Sequence, residues 1–459
     1  MTRIVTLAFT LILAFAPLLG AEEPAKVNYV VLISIDGLAA SYLEDPKAEL
    51  PTLRMLAKQG ASAKGMLTTF PSVTWPSHTS LITGATAAKH GVISNAVWSR
   101  AKNRSITYIG DPELTKAESI KIPTLYDAAH EAGLSTASVI WPCSNGAKSL
   151  DFVIPDSNKP DLHARFTTPG FADELAKAGI DISPLGGWGW AKDKSVPRDI
   201  VYTKVANYLL EKHKIQLLLV HLITPDGVEH GYGPHTREAY QAVKVSDAHV
   251  AEIWATLQKA PFAGNSTLFV VSDHGFAPYA KNIRPNFVFK QMGLLATDAA
   301  GKVTERKAWC QAEGGAAFIY LLEEERRAER LAEIRKELAA LEGVTGVIEE
   351  ADFAKWGLPT AKDNSEAPNL VLLTKPGYSF DGKIEGPAVV DAGGQKGTHG
   401  HDPNPSFMHA TFVAAGVGIK SGVKLEQIRN IDVAPTIAKL LGLELPQAEG
   451  RVVREILEK

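Results

Sequence analysis

The stretch "VNYVVLISID" (residues 27–36) is an apolar, β-branched run that ends in an aspartate. A run that is apolar at every position is typical of a strand buried on both faces of a parallel sheet. Two later stretches repeat this pattern of an apolar strand followed by polar residues, "IQLLLVHLITPDG" (215–227) and "STLFVVSDHG" (266–275), and the strand in 215–227 is expected to run into a loop. Helical patterns stand between these strands. The sequence therefore predicts an α/β fold with a mostly parallel central sheet flanked by helices.

Other segments fit the same alternation of strands and helices. We predict further strands over 135–141 and 409–416, and helices over 50–60, 76–84, 122–133 and 428–446. Residues 280–395 interrupt this order with short strand candidates and a charged helix over 323–343. The charges of that helix are expected to form a solvated face. We interpret 280–395 as an inserted α+β cap subdomain.

The composition is that of a globular protein. The chain has 459 residues, of which 45% are hydrophobic and 22% charged, and its net charge of −3 gives no sign of a nucleic-acid-binding surface. Residues 1–21 contain Arg3, an apolar run and small residues up to Ala21, as in a cleaved secretory signal peptide; an uncleaved anchor is the alternative. The sequence thus predicts a periplasmic or secreted protein whose domain spans 22–459, with no stable membrane anchor after signal cleavage.

The two cysteines do not define a scaffold. Cys143 and Cys310 are far apart in the chain. An exported protein can join such a pair, but spacing alone does not show whether two cysteines meet. A disulfide and two separate thiols both stay open at this point.

Polar side chains follow three of the predicted strands. Asp36 and Asp226 follow the first two, and Asp273 with His274 follows the third. Ligands of parallel sheets bind beyond the carboxyl ends of the strands, so we expect these side chains to lie close together. Two more histidines join them, and the full set of candidate metal ligands is Asp36, Asp226, His230, Asp273, His274 and His399. Oxygen and nitrogen donors without a thiolate suit zinc, while manganese and iron remain alternatives.

Thr74 lies in "TTFPSVTWPSHTSLITG" (68–84), just before the predicted helix. A free hydroxyl is a weak nucleophile near neutral pH and needs a base or a metal ion. Two metal ions about 4 Å apart can clamp the attacking and leaving oxygens of a phosphoryl displacement, and a helix N-terminus favours phosphoryl oxygens. A helix cap is the alternative role for Thr74. Structural or surface roles are expected for His78, His90, His221 and His409.

Taken together, these motifs resemble the nucleotide pyrophosphatase/phosphodiesterase family of the alkaline phosphatase superfamily. The resemblance extends from about residue 28 to the C-terminal helix and rests on "SIDGL", "FPSVTWPSHTSLITG", "KHGVISN", "TPDGVEHGYGP", "SDHG" and "GTHGHDP". It implies an alkaline-phosphatase-like fold and metal-dependent hydrolysis of phosphodiester or pyrophosphate bonds in small molecules such as nucleotides. The somatomedin-like and nuclease-like domains of the animal relatives have no counterpart here, so the chain looks like a bacterial, catalytic-domain-only member.

The resemblance also implies a role for each motif residue. Thr74 is the expected nucleophile, which forms a phospho-enzyme intermediate, and Asn95 is expected to hydrogen-bond a phosphoryl oxygen. Two zinc ions are expected per chain. The first is assigned Asp36, Thr74, Asp273 and His274, and the second is assigned Asp226, His230 and His399. His399 is preferred to His401 because the family motif reads Gly-x-His-Gly.

Two alternative functions within the same superfamily are phosphomonoesterase and phosphonate hydrolase. A more distant alternative is a secreted binding protein without catalytic activity. A sulfatase is excluded, since the Cys/Ser-x-Pro-x-Arg context is absent around Thr74. Lys148 stands alone, without the Lys-x-Arg pair of one group of threonine-nucleophile alkaline phosphatases, which favours a diester or pyrophosphate substrate. The chain departs from the family at Trp75, where phenylalanine is usual, and at Cys143, where glycine is usual. Base stacking or core packing are the alternatives for Trp98 and Tyr208.

Overall fold

The computed structural model describes residues 27–188, 194–259 and 261–458. The predicted signal peptide lies outside the described residues. Within them the strands are β1 Tyr29–Ile35, β2 Ala61–Ala63, β3 Met66–Leu67, β4 Ala96–Ser99, β5 Arg104–Thr107, β6 Thr136–Val139, β7 Phe152–Ile154, β8 Leu217–Leu222, β9 Ser266–Val271, β10 Ala277–Ile283, β11 Leu295–Thr297, β12 Val303–Arg306, β13 Ala308–Glu313, β14 Ala316–Leu321, β15 Val344–Glu349, β16 Leu370–Thr374, β17 Gly377–Phe380, β18 Val389–Thr398, β19 Phe412–Gly416, β20 Val423–Leu425 and β21 Ile428–Arg429.

The helices of the same parts of the chain alternate with these strands. They are α1 Ser41–Glu44, α2 Pro51–Gln59, α3 Thr74–Thr83, α4 Ala87–His90, α5 Lys116–Ser119, α6 Leu125–Glu131, α7 Pro160–Phe166, α8 Phe171–Lys177, α9 Ser195–Tyr208, α10 Thr224–Tyr232, α11 Arg237–Leu257, α12 Pro285–Gln291, α13 Arg327–Ala339 and α14 Val433–Leu441. Among the described residues, none of these helices combines the length and the apolar character that a bilayer span requires.

The central sheet has eight strands in the order β20-β2-β19-β9-β1-β8-β6-β7. All neighbouring pairs are parallel except the two that involve β19, which runs antiparallel to β9 and β2. The predicted α/β fold with a mostly parallel sheet is therefore confirmed. β1 lies in the middle, with Ile35 opposite Leu222 at the end of β8.

The apolar run of β1 is continuous because both faces of the sheet are covered. Val30 and Leu32 belong to the hydrophobic core on one face, and Val31, Ile33 and Ile35 belong to the core on the other. All five side chains are fully buried. Burying each one stabilises the fold by about 1.5–3 kcal/mol before entropy is subtracted. This two-sided core holds the carboxyl end of β1 in a fixed place.

Two predicted boundaries differ from the structure. We expected a loop after the strand in 215–227, but α10 begins at Thr224 with Pro225 in its first turn, where the fixed φ of proline favours a helix start. We expected the next helix of interest to begin after Thr74, but Thr74 is the first residue of α3. Both differences bring candidate site residues onto a helix instead of a loop.

The segment between β9 and β19 forms smaller sheets of its own. β13, β14, β16 and β15 make a four-stranded sheet, and β10 pairs with β17 and β18. The charged helix is α13, whose Ile334 and Leu338 are buried in a third core with Cys310. Cys143 belongs to a different core, and both cysteines are buried, free thiols. The exact bounds of the cap subdomain at 280–395 stay a prediction.

Candidate metal centre and active site

The candidate ligands meet because three neighbouring strands end side by side. β1 lies between β8 and β9 and is parallel to both. Asp36 directly follows β1, and its N–H donates to the carbonyl oxygen of Leu222 at 2.8 Å. Asp226 lies in the first turn of α10, and its N–H donates to the carbonyl oxygen of Asp36 at 3.1 Å. Asp273 follows β9, and its Oδ1 accepts the N–H of Gly37 at 3.0 Å.

Gly37, directly after Asp36, is required where these backbone segments meet. Its φ of +74° lies in the left-handed region, which side chains rarely adopt. A Cβ atom there would lie 2.6 Å from the ring of Phe276 and 3.3 Å from the Cα of Asp226. The glycine therefore lets the backbones that carry the candidate ligands approach each other.

The first ligand group consists of Asp36, Asp273 and His274, all buried. Nε2 of His274 lies 3.3 Å from Oδ1 of Asp36 and 3.1 Å from Oδ2 of Asp273. The candidate ligand atoms of the three residues all lie within 4.8 Å of one another. Three donors at these separations can converge on one small cation.

The second ligand group consists of Asp226, His230 and His399. Oδ1 of Asp226 lies 3.2 Å from Nε2 of His230 and 3.6 Å from Nε2 of His399. Asp226 and His230 are four residues apart on α10, so both project from one face of the helix. The rings of His399 and His274 stack with their centroids 3.8 Å apart. The two groups are thus adjacent, as a two-metal site requires.

The histidine rings are oriented as metal ligands usually are. Nδ1 lies near a backbone carbonyl oxygen in all three: that of Gly397 for His230 at 3.2 Å, that of Gly275 for His274 at 3.2 Å and that of Ser72 for His399 at 3.3 Å. A carbonyl only accepts, so the ring hydrogen belongs on Nδ1 and the lone pair on Nε2. Each Nε2 then faces the carboxylates of its own group.

Several buried polar atoms of the two groups have no hydrogen-bond partner within the described residues. They are Oδ1 of Asp36, Oδ1 of Asp226, Oδ2 of Asp273 and Nε2 of His274. Buried polar atoms without partners are costly and uncommon in folded proteins. Their convergence fits a pair of bound divalent cations.

The electrostatics of the groups point the same way. Burial, and then the nearby charges of Asp273 and Asp226, raise the pKa of Asp36 well above its usual range. Burial also raises the pKa of Asp273 to about 7. Burial lowers the pKa of His274 well below its usual range and the pKa of His399 to about 3, so both rings are neutral. Crowded carboxylates beside neutral imidazoles are stabilised by bound cations.

Asp226 differs from the other two carboxyl groups. Burial opposes its ionisation, but the rings of His230 and His399 together outweigh that effect and lower its pKa. The second group is therefore less strained electrostatically than the first. No lysine or arginine in the described residues makes a hydrogen bond or ion pair with Asp36, Asp226 or Asp273.

Thr74 begins a helix whose start is linked to both ligand groups. It is 6% exposed and is the first residue of α3. Its carbonyl oxygen lies 2.8 Å from Nδ1 of His78, and the same nitrogen lies 3.6 Å from Oδ2 of Asp273 in the first group. Two residues earlier, the carbonyl oxygen of Ser72 faces His399 of the second group. The helix start is thus tied to both groups.

Asn95 is held against the same helix start. Its Oδ1 accepts the N–H of Trp75 at 2.9 Å, which satisfies one of the free N–H groups of α3. Its own N–H donates to Oε2 of Glu313, in β13, at 3.3 Å. Because Oδ1 is engaged, the Nδ2 amino group is what the Asn95 side chain offers to a ligand.

Three residues that contact this site were not singled out from the sequence as functional. His221 and His78 were assigned structural or surface roles, yet His221 contacts Asp36 and His78 contacts the Thr74 turn. Glu313 carried no signal, because its partner Asn95 is 218 residues away. Motif spacing reports on ligands within one segment and does not reveal partners from other elements.

The remaining candidates lie elsewhere. His401 is buried but is not part of either ligand group. Lys148 is exposed and lines a separate cavity with Lys116 and Lys121. Trp98 is 2% exposed and packs against Trp309 and the guanidinium of Arg306. The Tyr208 hydroxyl donates to Glu174 at 2.8 Å. Packing, not base stacking, is the role that the structure gives to Trp98.

Comparison with known families agrees with this geometry. The sequence profile of the family described as type I phosphodiesterase / nucleotide pyrophosphatase matches residues 30–402. The chain belongs to this family. The match includes every residue of both ligand groups, as well as Thr74 and Asn95. As a family member the chain is a phosphodiesterase-type hydrolase, and its chemistry depends on metal.

Individual relatives are distant but cover nearly the full length. Ectonucleotide pyrophosphatase/phosphodiesterase family member 7 of Rattus norvegicus is 23% identical over 436 residues, which are 92% of this chain and 85% of the relative. The bis(5'-adenosyl)-triphosphatase enpp4 of Xenopus laevis is 21% identical over 425 residues, with 92% and 80% covered.

A solved structure shares the fold. Murine ectonucleotide pyrophosphatase / phosphodiesterase 5 superimposes with a TM-score of 0.69 at 18% identity, covering 94% of this chain and 100% of that one. That structure is of an inactive threonine-to-alanine variant in complex with AMP. The alkaline-phosphatase-like fold expected from the motifs is confirmed by this similarity.

Proposed function

We propose that this chain hydrolyses phosphodiester or pyrophosphate bonds, with nucleotides as substrates, through a Thr74 phospho-enzyme at a two-zinc site. The observation that carries the proposal is the pair of adjacent ligand groups, to both of which the helix start at Thr74 is linked. The murine structural relative was solved in complex with AMP, and the Xenopus laevis relative is named as a bis(5'-adenosyl)-triphosphatase. Both names support a nucleotide substrate.

The proposed ligands of the first zinc are Asp36, Asp273, His274 and Thr74, and those of the second are Asp226, His230 and His399. Zinc is the proposed metal because the donors of each group are carboxylate oxygens and imidazole nitrogens whose candidate ligand atoms lie within 4.8 Å of one another. When bound, the ions would supply Lewis-acid activation of the nucleophile and charge stabilisation of the transition state.

The chain's own residues would perform the remaining steps. The hydroxyl oxygen of Thr74 attacks phosphorus and loses its proton, the bond from phosphorus to the leaving oxygen breaks, and the first product departs with a proton. The rest of the substrate stays esterified to Thr74 through phosphorus as the covalent phospho-enzyme. The Nδ2 amino group of Asn95 donates to a non-bridging phosphoryl oxygen, and the N-terminus of α3 favours its negative charge. Water then attacks phosphorus and breaks its bond to the Thr74 oxygen, which releases the second product as a phosphate monoester and regenerates the Thr74 hydroxyl.

Within the described residues the site carboxylates have no lysine or arginine partner, which favours diesters over monoesters. A monoester carries an additional negative charge at the reacting phosphoryl group, and enzymes that accept it usually place a cation beside it. In the described residues no lysine or arginine pairs with the three site carboxylates, and Lys148 lies in another cavity. Phosphomonoesterase and phosphonate hydrolase are therefore the weaker alternatives.

A rate comparison tests the proposal. Purified zinc-loaded protein is assayed with bis-p-nitrophenyl phosphate and with p-nitrophenyl phosphate, each with and without chelator. We expect a chelator-sensitive preference for the diester. A preference for the monoester would overturn the substrate assignment, and chelator-resistant turnover would overturn the metal assignment. The Thr74→Ala chain, purified in parallel, controls for contaminating phosphatases.

The proposal extends to export and domain organisation. We infer that residues 1–21 are removed as a signal peptide and that the domain over 22–459 acts in the periplasm or outside the cell, with the segment at 280–395 shaping the substrate pocket. The N-terminal sequence of the protein recovered from the periplasm or medium tests this. An N-terminus that still contains residues 1–21 would contradict it.

A further inference from the structure

A buried histidine that is not a proposed ligand contacts the first ligand group. His221 lies in β8 and is fully buried. Its Nε2 lies 3.0 Å from Oδ2 of Asp36, and its Nδ1 lies 3.3 Å from the carbonyl oxygen of Ile140. The ring therefore bridges the end of β6 and the candidate ligand that follows β1.

The two oxygens of the Asp36 carboxylate have different surroundings. Oδ1 has no hydrogen-bond partner in the described residues and lies 3.3 Å from Nε2 of His274, so it faces the ligand group. Oδ2 faces His221 instead. A carboxylate that acts as a metal ligand is ionised and can only accept. A neutral imidazole has a single ring hydrogen, and the ionised carboxylate at 3.0 Å is a stronger acceptor than the carbonyl oxygen at 3.3 Å, so this hydrogen is carried by Nε2 of His221. The hydrogen bond from His221 would thus select Oδ1 as the atom presented to the metal.

The backbone beside His221 has an unusual conformation. Ile140 follows β6 with a φ of +51°, a left-handed conformation that is unusual for a β-branched residue. Its N–H donates to the carbonyl oxygen of Ile154 at 2.7 Å, and its own carbonyl oxygen is the one near His221. Strained backbone of this kind persists only where the surroundings hold it, and it clusters at functional sites.

We propose that His221 is a positioning residue that orients the Asp36 carboxylate and thereby strengthens metal binding at the first ligand group and not at the second. The inference rests on the two-metal site of the proposed function and adds to it a residue outside the ligand set. Residues that hydrogen-bond to a metal ligand and orient it typically raise metal affinity by about 10- to 100-fold.

Two matched substitutions separate the contact with Asp36 from the mere presence of a polar side chain. His221→Gln places an amide nitrogen near the position of Nε2 and keeps a donor for Asp36. His221→Asn places its amide near the position of Nδ1, so that it reaches only the Ile140 side. His249→Gln serves as a control, since His249 is a buried histidine on α11 that belongs to neither ligand group.

The measurement is zinc retained per chain at equilibrium with increasing concentrations of a competing chelator, with the melting temperature of each variant recorded to confirm folding. We expect wild type, His221→Gln and His249→Gln to hold two ions over the same range. His221→Asn should lose one ion at a chelator concentration roughly 10- to 100-fold lower than wild type does, and it should keep the other ion.

Three results would overturn the inference. One is His221→Asn holding both ions as tightly as wild type. Another is an equal loss in the two His221 variants, which would indicate that packing of the ring is what matters. The third is simultaneous loss of both ions. A wild-type chain that binds no zinc would instead refute the metal site of the proposed function itself, so the two failures are distinguishable.

Discussion

Asn95 makes two separable contributions, and two substitutions should separate them. Its Oδ1 accepts the Trp75 N–H at 2.9 Å, which stabilises the start of α3, and its Nδ2 amino group is the proposed donor to the phosphoryl oxygen. Asn95→Ala removes both. Asn95→Asp keeps an acceptor for the Trp75 N–H but replaces the amino group with a negatively charged oxygen.

The magnitudes follow from these contacts. In Asn95→Ala the Trp75 N–H loses its partner in a largely buried place, which costs about 1–3 kcal/mol of folding stability. In Asn95→Asp that hydrogen bond remains, and a negative charge near a helix N-terminus is favourable, so the melting temperature should stay close to wild type. Losing the donor should lower kcat by about 10²- to 10³-fold in both variants, equivalent to roughly 2.7–4 kcal/mol.

The assay is kcat on bis-p-nitrophenyl phosphate with zinc-loaded protein, together with melting temperature and zinc content. We expect both variants to keep their zinc and to lose turnover, while only Asn95→Ala melts earlier. Wild-type turnover in Asn95→Asp would refute the assignment of Nδ2 to the phosphoryl group. An Asn95→Ala chain as stable as wild type would refute the structural contribution of Oδ1.

Three further predictions concern Thr74, Gly37 and Glu313. Thr74→Ala should keep its zinc and lose turnover, whereas Thr74→Ser should keep measurable turnover. An active Thr74→Ala variant would refute the assignment of Thr74 as the nucleophile. Gly37→Ala should lower the melting temperature and the zinc content together, because its Cβ would lie 2.6 Å from the Phe276 ring at a φ of +74°; an unchanged melting temperature would contradict the required close approach. Burial raises the pKa of Glu313 from an ordinary value of 4.5 to about 7, so the unfolded chain releases this proton first as pH rises. The stability of wild type relative to Glu313→Gln should therefore fall by about 3 kcal/mol between these pH values, and a stability difference that does not change with pH would contradict the buried placement.

Much of the site could be predicted because its ligands occur in short, recognisable segments. Asp36 and Asp273 each follow an apolar strand within two residues, and Asp226 with His230 shows the spacing of one helix face. Parallel strands bring such segments to one edge of a sheet regardless of the sequence in between. The six candidate ligands could thus be expected to lie close together from the sequence pattern, whereas their division into two groups was implied by the family resemblance.

Contacts between distant segments could not be predicted in this way. The strand pattern of "LLLVHL" gives His221 no feature that distinguishes it from a core histidine, and its value depends on β8 lying beside β1. Glu313 reaches Asn95 only because β13 packs beside β4. Trp98 looked available for stacking, but the inserted segment covers it with Trp309.

By itself the sequence determined the fold class, the family resemblance, the candidate metal donor set and the position of Thr74 at the start of a helix. These features depend on hydrophobic patterns, helix spacing and turn residues, all of which involve residues close together in the chain. Only the tertiary structure decided which oxygen of Asp36 faces its ligand group, that Asn95 holds the start of α3, that Cys143 and Cys310 lie in separate cores, and that Lys148 is away from the site carboxylates. Those outcomes depend on the packing of side chains from segments far apart in the chain, and a hydrogen bond or an unpaired charge is specified only once those segments are in contact.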